Sequence, residues 1–137
     1  MMAFAIKAEI VDPRADSFAF PAQKTMYGGR NIAVGDPIFI FASENEGGSR
    51  LIARGLVAFS ELVREISGIV RTTPRISVEI RRLELVKRPL GRRELKPFVS
   101  WNDGQPQTEL NFKLYRQATN KIVGVSDETA IYLGTFF

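Results

Sequence analysis

The pattern of hydrophobic and polar positions is most informative between Val34 and Val57. Gly35-Asp36-Pro37 has turn chemistry: glycine permits positive φ, aspartate bonds its own backbone, and proline presets φ. Ile38 to Phe41 are all apolar and either aromatic or β-branched, the signature of a strand buried on both faces. After Ser43 the chain turns polar, and Gly47-Gly48 lets it reverse into a second strand from Arg50 to Val57. Upstream, Phe4, Ile6, Ala8 and Ile10 share one face of a first strand over 3–11. Asp12 to Gln23, with Pro13 and Pro21, reads as loop, and Lys24 to Asn31 is too rich in glycine for a regular element.

Downstream, Leu62, Val63 and Ile66 have helical spacing and predict a short helix over 60–66. Arg75 to Val86 predicts a long strand with a change of parity. Ile76, Val78 and Ile80 share one face, and Leu83 and Leu85 continue on odd positions after Arg81-Arg82. One extra residue of this kind is a β-bulge, which bends strands round barrel corners. Arg92 to Lys96 fits one helical turn, Glu109 to Arg116 a strand, and Ile122-Val123 another short strand. Ser126 suits a helix N-cap, with Asp127 and Glu128 in a favourable first turn. The helix that follows is expected to bury Ile131, Leu133 and Phe136. Numerous strands and short, dispersed helices predict a mainly β, α+β architecture: a partly open β-barrel of about five to six strands with short peripheral helices. The length of 137 residues favours one domain over 1–137.

Composition narrows the chemistry. Cysteine and histidine are both absent, which excludes disulfides, Cys/His zinc sites, thiolate nucleophiles and Ser-His-Asp triads. No spacing points to a carboxylate metal site, and no cofactor is implied. Apolar runs are far shorter than a membrane span and the first residues lack a signal-peptide pattern, so the expected location is the cytoplasm, with no membrane partner. The formal net charge of +4 favours an anionic partner. It is concentrated between Arg71 and Lys96, where nine basic residues face three glutamates. Arg81, Arg82, Arg88, Arg92 and Arg93 are candidates for phosphate-backbone contacts, since the arginine fork suits phosphate; a solvated strand face is the equal alternative.

Four segments carry a family resemblance: Ala3-Phe-Ala-Ile-Lys-Ala8; Gly35-Asp-Pro-Ile-Phe-Ile-Phe-Ala-Ser43 with Leu51 to Val57; Arg75 to Leu95; and Arg116-Gln-Ala-Thr-Asn-Lys-Ile-Val123 followed by Ser126-Asp-Glu-Thr129. In order and spacing the chain resembles an EVE domain of the PUA-like superfamily, related to ASCH and YTH domains. Met26-Tyr-Gly-Gly-Arg-Asn31 stands where the family carries a Trp-x-Gly-x-Arg-Asn segment, so Tyr27 or Trp101 replaces the missing tryptophan as aromatic wall. The resemblance implies a PUA-like barrel and a non-catalytic module that recognises a modified, flipped-out base in DNA or RNA. Such a base needs an aromatic face, edge-reading hydrogen bonds and basic contacts to the backbone.

The candidate binding residues are then Tyr27, Arg30, Asn31, Ser43, Trp101, Arg116 and Gln117. Arg30 and Asn31 follow a double glycine, which presents them at a rim; a solvated turn is the alternative. Ser43 ends the buried strand, either meeting a ligand or capping the hairpin. Tyr27 and Trp101 offer stacking faces or lids on the core. Arg116 and Gln117 pair a charge with an amide, for phosphate or base edge, or for a structural ion pair. Two rival classes remain. An ASCH-like amidohydrolase acting on an acylated nucleoside would use Lys24, Thr25 and Glu79. A protein-interaction module would use the apolar Thr135-Phe136-Phe137 terminus, a route to a homodimer.

Overall fold

The structure is a computed structural model that describes residues 2–43, 50–63, 75–100, 103–116 and 119–137. Seven strands form one mixed sheet: β1 (Ala3–Ala8), β2 (Ser17–Gln23), β3 (Thr25–Met26), β4 (Pro37–Ala42), β5 (Leu51–Val63), β6 (Arg75–Leu85) and β7 (Lys121–Val125). Their spatial order is β2-β6-β5-β4-β1-β7-β3. β2 and β3 hold the two ends of that order, yet only Lys24 separates them in the chain, so the sheet curls into a nearly closed barrel. β1 pairs in parallel with β4 and antiparallel with β7.

The strand pattern follows from two cores. Phe4, Ile6, Ile38, Ile40, Val78, Ile80 and Ile122 fill the barrel interior. Ala3, Ala5, Phe39, Phe41 and Val123 lie on the other face, under the helices. β1 and β4 are thus covered on both sides, as the unbroken apolar run of β4 predicts. Three helices supply the cover: α1 (Arg92–Leu95), α2 (Pro106–Leu110), which runs on into a π-helical turn over Asn111–Tyr115, and α3 (Asp127–Gly134). No helix among the described residues is long and apolar enough to cross a membrane.

Several expectations are corrected. Residues 17–23 are a strand rather than loop: Phe18 and Phe20 point inward while Ser17 and Ala19 face out. Pro21 is tolerated because β2 ends the strand order, and the register with β6 slips between Phe20 and Gln23. Residues 60–63 continue β5 instead of starting a helix, because Ser60, Glu61, Leu62 and Val63 find partners on β6 from Val78 to Arg75. The rest of the expected helix, residues 64–66, lies outside the described residues. Residues 109–116 are helical, not a strand. Pro106 opens α2, and Leu110 and Leu114, then Asn111 and Tyr115, are buried at four-residue spacing. In α3, Ser126 caps as expected, its hydroxyl accepting from the Thr129 N–H, and Leu133 and Phe136 are buried, but Ile131 is 72% exposed.

The parity change in β6 is a bulge. Arg54 faces Glu84 and Gly55 faces Arg82, so Leu83 is the extra residue; it is left 45% exposed, while Leu85 returns to the core. The C-terminal phenylalanines are used within the chain: Phe136 is buried, and Phe137 packs against Phe39 and the Arg54 guanidinium.

Candidate functional site

One end of the barrel gathers the basic side chains. β1 and β4 finish there side by side, with Ala8 opposite Ala42. Arg50 bridges to Gly91, and the Leu51 N–H donates to the Leu90 carbonyl, which ties the start of β5 to the loop before α1. Gly91 begins α1, and its N–H donates to the Glu94 carboxylate at 2.8 Å. The π-helical turn brings Tyr115 and Arg116 to the facing wall. Between these elements lies an open cleft of about 1060 Å³. Arg50, Arg92, Arg93, Lys96 and Arg116 line it, against Glu94 alone among the described acidic residues. Such a wall attracts anions and orients phosphate through guanidinium forks.

Behind the cleft the sheet carries an unusual cluster. Tyr115 lines the cleft and is itself buried; its ring meets Phe41 edge-on at 6.4 Å, and the Lys7 ammonium sits 5.6 Å from its centroid. Lys7 faces Lys121 across the β1–β7 ladder, and both are fully buried. The Lys121 ammonium donates to the Thr119 carbonyl at 3.0 Å. Burial, and secondarily the charge of Lys7, pulls Lys121 down to about 8. Ser43 follows β4, its N–H bonded to the Ala8 carbonyl. Strand alternation sets it on the face of Phe41, toward the same cluster. Its hydroxyl is buried and has no hydrogen-bond partner among the described residues. A buried polar atom of that kind calls for an explanation, and a ligand atom is one.

The structure sorts the predicted residues. Arg92, Arg93 and Arg116 come together at the cleft, whereas Ser43 does not line it. Arg82 is instead engaged with the Asp16 carboxylate and the Ala15 carbonyl. Arg88 stacks on Phe136 at 4.4 Å and donates to Thr135, clamping α3. Arg81 is exposed on β6 and does not line the cleft. Arg116 ends a helical turn rather than a strand. Trp101 and Gln117 lie outside the described residues. Tyr27, Arg30 and Asn31 sit farther along β7: the Gly124 N–H donates to the Tyr27 carbonyl, and Gly29 of the 3-10 turn over Gly29–Asn31 approaches Ile122 so closely that a Cβ would overlap its carbonyl oxygen. Glu79 lines a shallow groove with Phe20 and Phe59 that neither Lys24 nor Thr25 lines.

Sequence reasoning missed Arg50, Lys96, Tyr115 and the Lys7–Lys121 pair. The signal for Lys7 was present, since it is a lone cation inside an otherwise apolar strand, whereas Lys121 begins β7 after polar residues and gives no such signal. Arg50 is isolated in sequence from the basic window, and it is strand pairing, including the Arg50–Gly91 bridge, that joins them.

No family model and no curated protein matches this sequence. Solved structures do match in shape. The human THYN1 protein in complex with 5-methylcytosine containing DNA is 13% identical, with a TM-score of 0.57, over 98% of this chain and 96% of that one. The DUF55 domain of human thymocyte nuclear protein 1 is 12% identical, with a TM-score of 0.64, over 97% and 96%. An ASCH protein of Zymomonas mobilis is 13% identical, with a TM-score of 0.54, over 97% and 96%. The chain therefore has the PUA-like, partly open barrel fold of the EVE (DUF55) and ASCH structures.

Proposed function

We propose that this chain is a non-catalytic nucleic-acid-binding module that holds a modified, flipped-out base at the cleft. The observation that carries the reading is a single cleft lined by five cations and one carboxylate, with Tyr115 in its wall. Arg50, Arg92, Arg93 and Arg116 bind the backbone phosphates on either side of the flipped nucleotide. Tyr115 meets the base as an aromatic wall. The THYN1 complex supports the same partner class, because a barrel of this fold is described there with DNA carrying a modified base. The rival amidohydrolase needs Lys24, Thr25 and Glu79 within hydrogen-bond reach of one substrate, and the groove that Glu79 lines with Phe20 and Phe59 is lined by neither Lys24 nor Thr25.

The test is a titration that follows Trp101, the one tryptophan, with short oligonucleotides carrying modified or unmodified cytosine or adenine. Saturable quenching that favours one modified base, and is lost in Arg93→Glu, supports the reading. Equal affinity for modified and unmodified strands removes the base-recognition step. Absence of binding to every oligonucleotide at low salt removes the reading altogether.

A further inference from the structure

Beside the cleft, two aromatic rings stand at the surface with a cation on each. Tyr27 and Phe112 are both 37% exposed, and their rings meet edge-on at 6.1 Å. The Arg116 guanidinium lies 5.9 Å from the Phe112 centroid, and the Lys113 ammonium 5.1 Å from that of Tyr27. Arg116 also lines the cleft, so cleft and ring pair share a wall. Lys113 is tied to the Glu109 carboxylate and the Gly124 carbonyl, which leaves Arg116 as the cation of the two that can turn to a ligand. A second groove that Phe112 also lines carries Asp103 and Glu128 beside the Glu109–Lys113 pair, and its net negative charge disfavours phosphate there.

The backbone is built to hold this arrangement. Tyr27 has φ of 53°, left-handed for a bulky residue, and Gly28 follows at 83°. That conformation costs about 1–3 kcal/mol at a non-glycine residue. It is held because Gly29 and Gly124 let the turn lie directly on β7: a Cβ at either would overlap backbone of the facing segment. The Tyr27 ring is thereby fixed against Phe112 rather than left free on a loop.

We infer that Tyr27 and Phe112 form a stacking platform for the nucleotide next to the one in the cleft, and that the partner is accordingly single-stranded nucleic acid. This rests on the cleft being the base-binding site. Every base has a π-face, so an exposed ring binds whichever base follows, while a duplex keeps its base faces stacked internally and presents none. Arg116, which also lines the cleft, turns from the Phe112 ring to take the phosphate between the two nucleotides.

The probe is a ten-nucleotide oligothymidylate and a 2-aminopurine-substituted version of it, with a blunt duplex of equal length for comparison. Wild type is expected to prefer the single strand and to quench 2-aminopurine by stacking. Phe112→Ala is expected to lose about tenfold in single-strand affinity and to abolish the quench, from the usual contribution of one stacked base. Phe112→Leu keeps the apolar surface and so controls for folding; it is expected to lose the quench as well. Loss of single-strand binding in Arg93→Glu, with Phe112→Ala within twofold of wild type and still quenching, overturns the platform and leaves the cleft reading standing. Equal affinity of wild type for duplex and single strand overturns the single-strand inference. Absence of binding by wild type to either probe at low salt overturns both.

Discussion

At the scale of single residues, burial gives Lys121 a pH-dependent effect on stability. It is fully buried opposite Lys7, and burial holds its ammonium at about 8 instead of 10.5. Below pH 8 both folded and unfolded chains carry the proton, and the folded state bears the cost of the buried charge. Between pH 8 and 10.5 the unfolded chain still holds a proton that the folded chain has released, so this group's contribution to stability rises with pH across that window. At roughly 1.4 kcal/mol per pH unit the total is about 3 kcal/mol. The difference in unfolding free energy between wild type and Lys121→Met should therefore move in favour of wild type by up to that amount as pH rises from about 7.5 to 10.5. Urea titrations at the two ends measure it, and a pH-independent difference would remove the burial argument. The sequence displayed Lys7 as an interruption of an apolar strand and Lys121 as the start of one, but their meeting depends on the β1–β7 register, which no local pattern encodes.

At the scale of elements, Glu109 joins three parts of the helical layer. Burial alone would push its carboxyl up. Its carboxylate, however, accepts from the Ser126 hydroxyl at 2.6 Å, the Ser126 N–H at 3.0 Å, the Thr129 hydroxyl at 2.8 Å and the Lys113 ammonium at 3.0 Å, and together these hold it below the usual 4.5. Glu109→Gln keeps the shape and loses the charge that those donors face, at a cost of about 2 kcal/mol at neutral pH. A depressed carboxylate gives its full stability above its unfolded value and loses it as pH falls through the folded one, so the deficit of Glu109→Gln should shrink as pH drops below about 4.5. Chemical denaturation at about pH 7 and about pH 3 checks both statements.

The same segment shows where local reading fails. Leu110, Phe112 and Leu114 alternate like a strand, yet Leu110 and Leu114 are also four residues apart, and burial chose that spacing and left Phe112 outside. Residues 60–63 went the other way, because β6 offers them a ladder. β4 and the β6 bulge were legible because a buried run and a parity switch depend on the strand itself. The EVE-like order of segments was legible for the same reason, since it is carried by β1, β4, β6 and β7.

At the scale of the whole molecule, the question is how much of the positive charge acts at one place. The basic window divides: Arg82 and Arg88 are spent on Asp16 and on the α3 clamp, whereas Arg92, Arg93 and Lys96 join Arg50 and Arg116 at the cleft. Net charge alone would have weighted all of them equally. If five cations and one carboxylate meet a single strand, about four phosphates are neutralised, and log K should fall with log salt at a slope near −3, from about −0.7 per phosphate. Arg93→Glu should flatten that slope by about 0.7 or more, while Arg82→Gln should leave it unchanged and lower stability slightly through the lost contact with Asp16. Affinities measured over a series of salt concentrations distinguish the two cases. A slope altered by both substitutions in proportion to the charge each removes, two units for Arg93→Glu and one for Arg82→Gln, would mean that diffuse charge attracts the strand. A slope altered by Arg93→Glu alone would locate the phosphates in the cleft, whose wall includes Tyr115.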